Sequence, residues 1–336
     1  MAIPTLPRSG EPSPSAIKTI DFDTAHRRSQ SWTPYLFLSP FIFLFAIFGL
    51  FPLLFSLYLA FQSWEPTSGL ANMKFVGFEN FQFVLTDPWY WASLWNTFWL
   101  AVVSGVPQHL VAIPLAYFIQ TSFTRWRNGI VGLYFLPYIT STVAIVLMFS
   151  TLFSTDYGFI NIVLNKLATV PVIGVLFPAE KIDWLNRAEY IKPAVALVIF
   201  WRYVGFNTVL YLAALQSIPK ELYEAAMMDG ATKWQQFRYV TLPLLRPMIM
   251  LAVTLSVIGG MQLFEEPFIL TSGRGGTDQS AMTTAVYMYR TAFEFNELGT
   301  ASAISWSLFV IIAALIWLSR KLLSRDGATN ASAGAA

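Results

Sequence analysis

Arg202 is the residue of this 336-residue chain that most needs a chemical explanation, because it stands inside the apolar run from Pro193 to Ala214. A guanidinium at the middle of a bilayer costs about 2.5 to 3.5 kcal/mol on insertion scales, so it normally faces a partner or a water-filled cavity. Trp201, Tyr203, Phe206, Asn207 and Tyr211 lie around it, and a later apolar run adds Gln262, Glu265 and Glu266. Carboxylates and amides supply paired donors and acceptors for hydroxyl groups, and aromatic rings supply faces for C–H groups. The set therefore suits a carbohydrate path, with Arg202, Tyr203, Asn207, Gln262, Glu265 and Glu266 as its candidate residues. An ion pair of Arg202 with Glu265 or Glu266 that only fixes helix register is the competing reading. The same charges would also serve an ion-coupled secondary transporter as a relay, a class usually built from repeated halves, and no internal repeat is visible.

Other chemistry is absent from the sequence. No GxxxxGK[ST] loop occurs, so nothing cradles a triphosphate. His26 and His109 stand apart and there is no cysteine, which leaves no metal cluster, no thiol chemistry and no histidine dyad. The chain is read as a non-enzyme without catalytic or metal-binding residues, and whatever energy it uses must come from elsewhere.

Between Ser217 and Pro247 the chain reads SIPKELYEAAMMDGATKWQQFRYVTLPLLRP, a polar hinge between two apolar runs. Ser217 as N-cap, Pro219 in the first turn and Glu221 at the positive end of the helix dipole predict a short helix. Ile218, Leu222, Ala225 and Ala226 make one apolar stripe, with Lys220, Glu221 and Glu224 off it. Asp229-Gly230 predicts the stop, with glycine in the left-handed region. Thr232 predicts the cap of a second helix carrying Trp234, Phe237 and Thr241 on one side, bent by Pro243 and Pro247 as it enters the bilayer. On the residues alone, a basic amphipathic loop lying in the headgroups is an equal alternative.

Glu224-Ala225-Ala226, then Asp229-Gly230-Ala231, then Leu242-Pro243, resembles the EAA loop of permease subunits of binding-protein-dependent ABC importers. The flanking IPKELYEAA and TLPLLRP are similar to its carbohydrate-uptake branch, and the likeness runs from about Trp32 to Arg325, through QSIP, FVGFENF and YRTAFEFNELGTASAISWSLFVI. The chain thus resembles the maltose-type sugar permease family, in its MalF-like half. The resemblance implies an all-α, six-span type I ABC importer permease fold in a bacterial cytoplasmic (inner) membrane. It implies a heterodimer with a second permease subunit, a dimer of ATPase subunits that binds the ATP and Mg, with no cofactor in this chain, and an extracytoplasmic solute-binding protein. The implied substrate is a di- or oligosaccharide, with glycerol phosphate or a polyol as alternatives. It places coupling to the ATPase on Glu221, Glu224, Ala225, Ala226, Asp229 and Gly230. One stretch departs from the pattern: where relatives commonly have Gly-Gly-Pro after a threonine, this chain has Thr271-Ser272-Gly273-Arg274-Gly275.

These residues need helices long enough to cross a membrane, and composition supplies them. Hydrophobic residues make up 55% of the chain and charged residues only 12%, against about a quarter charged in soluble proteins. Six spans are predicted, at Tyr35 to Phe61, Leu94 to Phe118, Ile130 to Phe153, Pro193 to Ala214, Met248 to Leu270 and Ala301 to Leu318. Pro52, Pro107, Pro114 and Pro137 lie within them and predict kinks. Lys and Arg are concentrated in the N-terminal tail, beside Arg125 and Arg127, in the hinge and after the last span, which predicts that both termini and the hinge are cytoplasmic. Residues 1–31 read as a disordered cytoplasmic tail without the apolar core of a signal peptide, 32–325 as the six-span domain with the coupling loop at 217–247, and 326–336 as a C-terminal cytoplasmic tail. The outer segments are too short for an independent domain. Phe75, Phe78, Phe81, Phe83 and Trp184-Leu185 read as residues that pack on the membrane part, and these segments are candidates for docking a soluble binding protein.

Overall fold

The computed structural model describes residues 33–123, 125–170, 174 and 180–333, so the tail at 1–31 lies outside the described residues, as do the last three positions of 326–336. Among the described residues, five helices are long and apolar enough to cross a membrane, and a bent helix pair that passes the same test together brings the number to six if it is one span. The only strands described are two residues each, β1 (Gln62–Ser63) and β2 (Lys74–Phe75), paired antiparallel with Gln62 opposite Phe75.

The first span is α1 (Thr33–Phe45), a π-turn (Ala46–Leu50) and α2 (Phe51–Leu59). By packing the chain divides between Phe55 and Ser56. A second π-turn, Phe237–Thr241, recurs after the hinge. Both stand just ahead of a proline, Pro52 in one case and Pro243 in the other. A proline ring presses on the carbonyl four residues back and offers it no N–H; a widened turn, with bonds running five residues back from Phe51 and Leu242, relieves the clash.

After β1, β2 and α3 (Glu79–Thr86), the second span is α4 (Pro88–Ser122), which continues through Pro107 and Pro114. Asp87 starts it: one carboxylate oxygen accepts from the Trp89 N–H at 3.0 Å and the other from the Tyr90 N–H at 3.2 Å. The third span departs from the predicted single helix over Ile130 to Phe153. It is α5 (Arg127–Ile139) and α6 (Thr142–Leu152), bent by 92°. Pro137 cannot bond the carbonyl behind it, and the Thr140 hydroxyl takes the Leu136 carbonyl at 2.8 Å while Thr140 and Ser141 go extended.

The short α7 (Phe159–Ala168) leads to the fourth span, α8 (Ala188–Gln216). The hinge follows as α9 (Lys220–Met228) and α10 (Lys233–Gln236), and the fifth span rises from the second π-turn as α11 (Leu242–Met261). Here too the predicted continuous run to Leu270 is broken: Gln262 to Phe264 leave helical geometry and α12 (Glu265–Leu270) starts anew. Gly259 and Gly260 weaken the end of α11, and Glu265-Glu266-Pro267 is a helix-start signal, with two acids on the positive dipole end and a proline in the first turn. α13 (Thr284–Phe293) then precedes α14 (Leu298–Ala333), which continues beyond the predicted end at Leu318.

The core lies in layers along these helices. Ile145, Val146 and Phe149 of α6 pack with Val195, Val198 and Ile199 of α8 and Leu270 of α12. A second cluster joins Ala112, Ala116 and Ile119 of α4 to Tyr211, Leu212 and Leu215 of α8 and Leu245 and Ala252 of α11. Small residues allow the closest approaches: a Cβ on Gly205 of α8 would lie 1.8 Å from the Tyr134 carbonyl oxygen of α5, and one on Gly260 would lie 2.8 Å from the Ala101 Cβ. Of the outer apolar residues, Phe81, Trp184 and Leu185 pack on the core, whereas Phe75, Phe78 and Phe83 are exposed.

Candidate functional site

Arg202 lies on α8 where the two interrupted spans come together. Its guanidinium donates to the Glu266 carboxylate at 2.7 Å; the Glu266 side chain is buried, at 3% exposure, and that of Arg202 is mostly buried, at 12%. Glu265 stands 4.0 Å from the same nitrogen with its side chain 61% exposed. Glu266 is thus the closed partner and Glu265 the outward charge. The α12 dipole stabilises both carboxylates in its first turn. Arg202 Nε is buried without a hydrogen-bond partner, and the guanidinium carbon sits 5.3 Å from the Tyr203 ring centre.

An aromatic group adjoins this pair. Tyr138 of α5 stacks on Phe206 at 4.3 Å and meets Tyr203 edge-on at 5.9 Å, and Phe135 stacks on Phe206 from the next turn. Tyr138 and Phe135 were not singled out by sequence, because they belong to a different run and only the tight α5–α8 contact at Gly205 brings them in. Gln262 is exposed in the break between α11 and α12. Asn207 points elsewhere: it is 2% exposed and donates to Gln108 of α4 at 3.1 Å, a contact inside the helix bundle. Of the six candidate path residues, Arg202 meets Tyr203, Glu265 and Glu266, Gln262 lies in the adjoining break, and Asn207 is occupied in packing.

The histidine of α4, His109, accepts or donates through Nδ1 to the Tyr211 hydroxyl at 2.8 Å. It lines a cavity of about 460 Å³ between α4, α11 and α14, whose walls include Phe98, Ala101, Val257 and Leu315. Those walls are apolar and do not suit a hydroxyl-rich ligand.

The hinge differs from its predicted start. Ser217 is not the N-cap of α9: it closes α8, its hydroxyl bonded back to the Ala214 carbonyl at 2.7 Å, and Pro219 takes the N-cap place. α9 ends in a Schellman motif, with Gly230 at φ +77°, the Gly230 N–H on the Met227 carbonyl and the Ala231 N–H on the Ala226 carbonyl. Thr232 and Gln235 then form a reciprocal capping box at α10. Glu221, Glu224, Ala225 and Asp229 are exposed and Ala226 is half-buried. Leu222 of the predicted apolar stripe is 43% exposed, and Met227 and Met228 are 57% and 88% exposed. α9 is therefore a short, sharply ended helix that presents carboxylates and apolar side chains outward together.

The chain matches the family described as binding-protein-dependent transport system inner membrane component over residues 91–325. It is 32% identical to the arabinooligosaccharides transport system permease protein AraP of Bacillus subtilis, over 88% of this chain and 89% of that protein. It is 34% identical to the lactose transport system permease protein LacF of Rhizobium radiobacter, over 84% and 91% respectively. In structure it resembles a chain of a bacterial ABC transporter involved in the import of the acidic polysaccharide alginate, with a TM-score of 0.74 at 24% identity, covering 88% of this chain and 96% of that one. A further structure of the alginate transporter, in complex with an alginate pentasaccharide-bound periplasmic protein, superposes with a TM-score of 0.73.

Proposed function

The chain belongs to the family of binding-protein-dependent transport system inner membrane components, and from that premise we propose that it forms one half of the membrane pathway of an ABC importer for a di- or oligosaccharide. A second, related permease completes the pathway, a dimer of ATPase subunits supplies the energy from ATP and Mg, and an extracytoplasmic binding protein delivers the sugar. Both termini and the α9–α10 hinge face the cytoplasm, and the chain itself makes or breaks no covalent bond.

The observation that carries this reading is α9. A polar hinge lying flat in the headgroups would turn its apolar side chains to the lipid and its charges to water. α9 ends in a fixed corner and leaves Glu221, Glu224, Met227 and Met228 uncovered by the rest of the chain, which supports a helix that seats in a protein cleft. The substrate class rests on the sugars carried by relatives of similar length and on the Arg202–Glu266 pair beside Tyr138, Tyr203 and Phe206. Glu265 and Gln262 supply hydrogen-bonding groups there, and the aromatic rings supply faces for C–H groups.

Reconstitution of the full complex tests the reading. Uptake of arabinooligosaccharide and lactose as probe sugars is expected to be vanadate-sensitive and indifferent to protonophore. Glu224→Ala and Gly230→Asp are expected to leave the protein in the membrane and weaken ATPase co-purification or binding-protein-stimulated hydrolysis. Parent-level import and normal ATPase retention in both variants would reduce α9 to an interfacial loop.

A further inference from the structure

α9 is joined to the membrane part by very little. Among the described residues, Tyr223 is the one side chain of α9 with a hydrogen bond, and its hydroxyl meets the Thr241 hydroxyl at 2.9 Å. Glu221, Leu222, Glu224, Ala225, Met227 and Met228 are exposed, while Tyr223 is half-buried and Thr241 has no exposed surface. Thr241 is the last residue of the π-turn at the foot of α11. The far end of α11, a continuous helix of 20 residues, is the break at Gln262, and at 1.5 Å per residue it spans about 30 Å.

We infer that Tyr223 and Thr241 form the strut through which movement of α9 reaches the fifth span. The inference rests on the reading of α9 as the element that meets the ATPase and adds the route onward. The alternative route, along the backbone through α10, passes the π-turn, where the helix is widened ahead of Pro243 and is the natural place for a bend to absorb motion. The hydroxyl pair bridges that compliant turn from the side. Tyr117 completes the seat: its hydroxyl donates to the Lys233 carbonyl at 3.2 Å and its ring lies 5.0 Å from Phe237, so α10 is held against α4, while α9 is held by Tyr223 and by the half-buried Ala226. Tyr223 is thus a positioning residue: it touches neither sugar nor nucleotide and acts through α11.

The test uses the full complex in proteoliposomes, with its other subunits free of cysteine and a Gly259→Cys reporter on α11. The parent chain has no cysteine, and a Cβ at Gly259 meets open space. The rate of labelling by an impermeant maleimide is measured with and without ATP and vanadate. The parent is expected to change its rate on nucleotide trapping, and Tyr223→Phe to lose that change about fivefold, the factor carried by one ordinary hydrogen bond, while trapping nucleotide normally. Thr241→Val is expected to do the same, Thr241→Ser to retain the response, and the Tyr223→Phe/Thr241→Val pair to be no worse than either alone. A full response in Tyr223→Phe, additive losses in the pair, or loss of nucleotide trapping in Tyr223→Phe would each overturn the strut while leaving the transport reading standing. No response in the parent would sink that reading and the strut with it.

Discussion

At the scale of single residues, the Arg202–Glu266 pair is the most exacting demand the chain makes on itself. Removing one member of a buried pair leaves an uncompensated charge and costs about 3 to 5 kcal/mol, whereas replacing both is often close to neutral. Arg202→Met is therefore expected to destabilise the purified protein by that amount, and Arg202→Met/Glu266→Gln to recover most of it in a thermal-unfolding double-mutant cycle; a single-variant loss below about 1 kcal/mol would mean that Glu266 finds another partner. Sequence reading located Arg202 and two acids for it but not which acid, because the choice depends on the helical phase of α12, which restarts after a break. A second residue-scale prediction concerns the outer ends of the helices. The Tyr287 hydroxyl of α13 donates at 2.5 Å to Asp87, the cap of α4, and burial, reinforced by that hydrogen bond, raises the phenol above its usual range. A group whose ionisation is held back by the fold contributes stability that is intact below its ordinary value, near 10, and is lost as pH rises beyond it. The parent is expected to lose thermal stability above about pH 10, and Tyr287→Phe, less stable at pH 7 by about 1 kcal/mol, to show a flatter fall; parallel curves would assign the alkaline loss to other groups.

At the scale of elements, the two breaks decide where the polar residues sit. Each falls where an apolar-run count is blind: Thr140-Ser141 and Gln262-Leu263-Phe264 are too short to lower the hydropathy of the run that contains them. The signals were nonetheless present. Pro137 followed by Thr140 and Ser141, and Gly259-Gly260 followed by Glu265-Glu266-Pro267, each read as a stop and a start once the residues are weighed for capping and not for polarity. The hinge was legible for the same reason, since Gly230 and Thr232 act locally, whereas Ser217 was misread because an N-cap residue can equally close the helix before it. The α5–α8 contact could not be read at all, because a glycine inside an apolar run carries no mark of what crosses it. Gly205→Ala is expected to force α5 away from α8, cost about 1 to 3 kcal/mol by overpacking, and separate Tyr138 from Phe206. Thermal unfolding and a Tyr138–Phe206 cross-link after cysteine replacement measure both effects, and unchanged values would show that the contact is loose.

At the scale of the whole molecule, composition and run length were enough for an all-helical polytopic chain with six crossings, because bilayer thickness fixes helix length whatever the packing. Packing then bends what length alone would leave straight. The third crossing is a helix of 13 residues and one of 11 at 92°, and neither is long enough to cross a bilayer by itself. During synthesis Arg127 to Leu152 emerge before α8 and α12, so the packing that holds the final bend is not yet available to them. The right angle is then expected to be completed late, when Val195, Val198 and Leu270 arrive to pack on Ile145 and Phe149. A chain stopped at Val170 is expected to keep Thr140→Cys shielded from impermeant maleimide, and the full-length chain to open it. Equal labelling would show that Pro137 and Thr140 make the bend unaided. If the difference is found, the interrupted span is a clock as well as a shape, because its final form reports that the fifth crossing has already been made.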